Sequence, residues 1–164
     1  VYPRTHTSNA TALRIAWHLP WQDALRCEVR QFSDTWGINA QNWALAYTRD
    51  LSPRWRLEGR LRTYSQDGAD FYSDLFPYRN AQNYLARDKE MSTFDTLLYG
   101  VGVSYIRKAP ETSAWQQMSF NLQLDFIDFD YADFRDLRVV TTPGTEPLYG
   151  YRAVVTRLYY SLWY

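Results

Sequence analysis

The sequence predicts an all-β fold: a transmembrane antiparallel β-barrel of meander topology, with seven or eight strands present here as part of a larger barrel. Three observations carry that expectation. The closing segment sends Val154, Thr156, Leu158, Tyr160, Leu162 and Tyr164 to one side with the two-residue period of a strand. It has the length of a tilted membrane strand and stops on an aromatic residue, as the last strand of an outer-membrane barrel does. The same split between apolar and charged positions recurs along the chain, and the connections alternate between short and long, as in membrane barrels.

The strands follow in order. Residues 11–19 send Leu13, Ile15, Trp17 and Leu19 one way and Arg14 and His18 the other. Residues 24–33 set Leu25, Cys27 and Val29 against Arg26, Glu28 and Arg30, and residues 40–49 carry Trp43, Leu45 and Tyr47. Residues 55–64 oppose Trp55, Leu57 and Leu61 to Arg56, Glu58, Arg60 and Arg62. Residues 94–106 present Leu97, Tyr99, Val101, Val103 and Tyr105, with Gly100 and Gly102 on the other side, where small residues leave room. Residues 115–127 set Met118, Phe120, Leu122, Leu124 and Phe126 against Gln117, Asn121, Gln123 and Asp125. In a barrel, the charged side faces a watery lumen and the apolar side faces lipid.

A carboxyl end at the periplasmic rim makes 20–23, 50–54 and 108–114 short periplasmic turns. The outer connections are then Ser33 to Asn39, where Trp36-Gly37 supplies a residue tolerant of positive φ, and two long loops at about 65–93 and 127–148. Residues 1–164 thus read as one domain. Seven strands leave the amino end outside, whereas bacterial barrels usually keep an even count. A carboxyl-terminal portion of a larger barrel is expected, with a complete eight-stranded barrel as the alternative. A hairpin around Pro143-Gly144 would leave the parity odd.

Composition agrees. Eighteen basic and eighteen acidic residues balance, so nothing favours nucleic acid. Fourteen Tyr and seven Trp suit rings at membrane interfaces, and no apolar run is long enough for a transmembrane helix. The single Cys27 makes neither an internal disulfide nor a CxxC pair. No signal peptide opens at Val1, which reads as a mature product or a fragment. The expected surroundings are outer-membrane lipid, the barrel-assembly machinery during biogenesis and an envelope protein partner, with no cofactor and no metal.

Thr5-His6-Thr7, Trp36-Gly37-Ile38, the stretch from Arg60 to Tyr72, and Arg87-Asp88-Lys89-Glu90-Met91-Ser92 resemble the core of the DUF3570 family of bacterial outer-membrane proteins. The charged 87–92 motif is the most specific part; Met91 stands where Leu is commoner. The resemblance implies a longer protein with a signal peptide, of which this chain is the carboxyl-terminal portion. It also implies an envelope redox setting, through genes for thioredoxin-like and flavin-transfer proteins nearby.

The functional candidates are the inward charges Arg14, Arg26, Glu28, Arg30, Arg56, Glu58, Arg60, Arg62 and Arg157. They read either as an internal salt-bridge network or as an electropositive lumen that favours anions. A pore or transport-related channel is the leading function, with a non-conducting assembly barrel and an outer-membrane hydrolase as alternatives. Arg87, Asp88, Lys89 and Glu90 form an outer-loop motif, either a loop clamp or a ligand contact, and Asp67, Asp70 and Asp74 lack the glycine-turn pattern of a calcium loop. For a hydrolase, His6 with Asp70 or Ser73 is the one available constellation, since no HExxH, GxSxG or phosphate loop is present.

Overall fold

The computed structural model describes residues 2–76, 78, 81–142 and 144–164. Seven strands form one antiparallel sheet in chain order: β1 (Ser8–His18), β2 (Ala24–Asp34), β3 (Asn39–Asp50), β4 (Trp55–Gln66), β5 (Phe94–Lys108), β6 (Gln117–Arg135) and β7 (Leu148–Trp163). Period-two alternation sets the register, because a slip of one residue would bring every apolar side chain to the charged face. One row accordingly runs Leu13, Val29, Trp43, Thr63 and Leu97 from β1 to β5. A second runs Ile15, Cys27, Leu45, Leu61, Tyr99, Phe126 and Val154 across all seven strands.

The sheet is open. β1 and β7 are its edges, and no described residue pairs one with the other. This corrects the expectation of a closed transmembrane barrel. A lumen needs an enclosing wall, so the pore and the barrel scaffold fall with closure. The outer-membrane localisation and the lipid, assembly-machinery and envelope-protein partners rested on the same closure and are corrected with it. No helix is long and apolar enough to cross a membrane.

Alternation fails to report closure because it distinguishes two faces and nothing more. It also shortened β6, which was expected to end at residue 127 and runs to Arg135. Beyond the apolar band the polarity changes sides: Asp128 and Asp130 continue the row of Phe126, while Ile127, Phe129 and Tyr131 continue the row of Asp125. Phe129 stacks on Tyr151 at 4.5 Å between centroids. With β7 beginning at Leu148, the connection between the last two strands is residues 136–147. Its described residues form no strand, and Pro143 lies outside them.

The buried apolar cluster sits at one end of the sheet, under the 67–93 connection, not between two layers. Ile38, Ala69, Phe71 and Ala86 form it, with Phe32, Trp36, Tyr72 and Met91 packed around them. Trp36 meets Phe71 edge-on at 5.4 Å and is covered by Tyr2 and His6. Asp34 organises the turn beneath by accepting the backbone N–H of Trp36 at 2.9 Å and of Ile38 at 3.0 Å. Gly37, at φ +88°, completes it.

Candidate functional site: an arginine-rich sheet face

Side chains at alternate positions of all seven strands build the polar face. Long guanidinium side chains alternate there with very small residues: Arg26 lies opposite Ala16 and Ala46, Arg62 opposite Ala44, and Arg60 opposite Ala46 and Gly100. The small neighbours let each arginine lie along the sheet and reach a carboxylate that is not its register partner. Arg14 and Glu28 are direct partners and bond at 2.5 Å. Arg26 reaches across β3 to Glu58 on β4, over the sheet surface.

Asp125 is the hub. It is 1 % exposed, and its two oxygens take Arg60 at 2.8 Å and Arg157 at 3.0 Å. Arg60 also bonds Gln123 Oε1 at 3.2 Å and stands 3.6 Å from Glu58. This arrangement depends on Gly100: a Cβ there would lie 1.9 Å from Asp125 Oδ1. The glycine is required by close approach, not by its backbone angle. A carboxylate as buried as Asp125 is tolerated because two guanidiniums compensate its lost hydration.

Arg56 bonds Asp50 at 2.6 Å at the far end of the face. That bond holds the Asp50 carboxyl below its ordinary range and raises Arg56. Arg30 and Arg62 differ from the other arginines. Neither has a carboxylate within ion-pair distance among the described residues, and the Arg62 Nε–H donates to the Asn42 side-chain oxygen. Alternation found the arginines but missed Asp50, Asn42 and Asp125 as their partners. Only the pairing of Asp125 with Gly100 in adjacent strands marks the hub, and that requires the register.

The outer-loop motif lies apart from this face. Arg87 donates to the carbonyls of Asp74 at 2.9 Å and Arg135 at 3.1 Å, pairs with the Asp74 carboxylate and stacks 4.6 Å over Phe134. It thereby ties the 67–93 connection to the end of β6. Lys89 lies over Tyr151 at 5.4 Å, Asp88 precedes the short 3-10 turn at Lys89–Met91, and Glu90 lies within it. Asp74 is held by Arg87 and Arg135, while Asp70 lies against Gly37. No group of potential metal ligands occurs among the described residues.

The hydrolase constellation does not assemble. His6 Nε2 is 2.8 Å from Asp34, not Asp70, and the Ser73 hydroxyl donates to the Leu75 carbonyl at 2.8 Å. Leu158, Tyr160 and Leu162, the closing-strand signal with Tyr164, lie on the opposite, apolar face of β7, facing Leu122, Phe120 and Met118.

Comparison with curated proteins and with solved structures gives no match. The family described as "Protein of unknown function (DUF3570)" matches residues 2–120, from the aromatic cover over Trp36 through the motif at 87–92 to the start of β6. The match carries no barrel with it, since the sheet that these residues build is open. On that match, spanning well over half its length, the chain belongs to the DUF3570 family.

Proposed function

We propose that the chain is a binding protein whose polar sheet face takes up small anionic ligands without transforming them. Charge segregation carries this reading. The chain is neutral overall, yet one face holds Arg14, Arg26, Arg30, Arg56, Arg60, Arg62, Arg157 and Lys108 against Glu28, Asp34, Asp50, Glu58 and Asp125. Like charges are gathered against their mutual repulsion, and an anion relieves that repulsion. Glu28, Asp50, Glu58 and Asp125 are each engaged by a guanidinium, and Asp34 is taken up by His6 and the backbone N–H groups of Trp36 and Ile38. An engaged, ionised carboxylate is poorly placed to move protons, so the face presents positive charge and does not offer a free base.

Calorimetric titration of the chain with pyrophosphate, citrate and sulfate at low ionic strength tests the reading. Binding that weakens steeply as salt is added, because exposed charges are screened within about 10 Å at 0.1 M, is expected. Failure of every one of these anions to bind at low ionic strength overturns it.

A further inference from the structure

Most arginines of the polar face are paired with carboxylates, and the two that are not, among the described residues, stand together. In β2, β3 and β4 the register sets Arg30 opposite Asn42 and Asn42 opposite Tyr64, with Arg62 one step along β4 beside Ala44. These side chains, with Phe32 and Ala40, line a cavity of about 230 Å³. We infer that this cavity, resting on the anion-binding reading of the face, is the seat of a phosphate monoester group, held as a dianion between Arg30 and Arg62.

Several features fit that group. The two guanidiniums have no carboxylate partner among the described residues, so their summed charge matches a dianion and no ion pair among those residues has to be broken to admit it. The bond from Arg62 Nε to Asn42 fixes the plane of that guanidinium and leaves its two terminal nitrogens for ligand oxygens. Asn42 is itself 6 % exposed, so the anchor is rigid. A guanidinium fork suits phosphate oxygens better than an ammonium does. Tyr64 stands in the positive field of both arginines; burial nonetheless raises its phenol, which therefore stays protonated and adds no competing negative charge. Its hydroxyl already donates to Gln66 at 2.6 Å. The rings of Phe32 and Tyr64 flank the cavity and suit the organic part of the ester.

Titration with inorganic phosphate and with phenyl phosphate, followed by calorimetry, provides the test. Arg30→Gln and Arg62→Gln are each expected to weaken phosphate at least tenfold. The double variant should remove binding, and Arg152→Gln on the opposite face should change it less than twofold. Arg62→Lys keeps the charge and loses the fork. It should weaken binding about fivefold while the far-UV spectrum stays unchanged, which separates loss of the site from loss of the fold. Phenyl phosphate should bind more tightly than inorganic phosphate, and Phe32→Ala should erase that difference. Unchanged phosphate affinity in the double variant overturns the site. So does pyrophosphate or citrate binding where phosphate fails, an outcome that leaves the broader reading standing. Silence toward all anions removes both.

Discussion

The residue on which the polar face turns is Gly100. Its absent side chain lets Asp125 lie flat between Arg60 and Arg157. Gly100→Ala puts a methyl into the space held by Asp125 Oδ1, so the carboxylate has to swing away from Arg60 or the strands have to part. Overpacking of this kind costs about 1–3 kcal/mol. Asp125→Ala on its own leaves Arg60, 20 % exposed at its side chain, without its closest partner. The two substitutions act on one contact and should not add. In an Asp125→Ala background, Gly100→Ala is expected to cost less than it does in the parent chain, the remainder coming from the Leu124 carbonyl oxygen, which lies 2.9 Å from the added Cβ. Urea denaturation of the two single variants and the double variant measures this. Additive losses would show that Gly100 serves the backbone and not the ion pair.

At the scale of elements, the turn between β1 and β2 contains an unused gain in stability. Leu19 N–H bonds the Asp23 carbonyl at 2.8 Å, Gln22 N–H bonds the Leu19 carbonyl at 3.1 Å, and Gln22 sits at φ +68°. A side chain in that left-handed region costs about 1–2 kcal/mol, and glycine avoids most of it. Gln22→Gly should therefore stabilise the chain by several tenths of a kcal/mol to about 1 kcal/mol, the remainder being offset by the freer unfolded chain. A lower denaturation midpoint would contradict this. The turn was legible in the sequence as a short link after Pro20, as were the seven strands, because alternation repeats wherever one face is polar and the other apolar. β6 was read short because its apolar side crosses over at Ile127. Closure was not legible, because pairing between first and last strands leaves no mark on either strand's period. The arginines were legible for the reason the strands were, and the Asp125 hub was not, because it is made by residues from β4, β5, β6 and β7 that only the register brings together.

The whole molecule shows an imbalance that no single residue reveals. Its accessible surface is 11,678 Å², whereas a compact monomer of 19.5 kDa exposes about 8,500 Å². The excess of roughly 3,000 Å² is of the size buried in obligate interfaces, and far larger than the apolar patches of ordinary monomers. The apolar face contributes to it, with Leu13 62 % exposed, Trp43 56 % and Leu158 74 %, as does the open polar face, where the Arg14 side chain is 73 % exposed. At about 25 cal/mol per Å², leaving such a face in water is strongly unfavourable, so the chain alone in plain buffer should associate and bind a hydrophobic dye such as ANS. Introducing lysine at the centre of the face, as Leu45→Lys/Leu61→Lys, breaks the continuous row between Cys27 and Tyr99 without touching the arginine ladder behind it. That variant should lose most of the dye enhancement and sediment as a smaller species, while its anion titration stays as in the parent chain. If association and dye binding persist unchanged, the contacts that drive them belong to the open edges of β1 and β7, whose unpaired backbone groups also attract partners. If anion binding is lost along with association, the two faces are coupled through assembly and the polar face works only when its neighbour is covered.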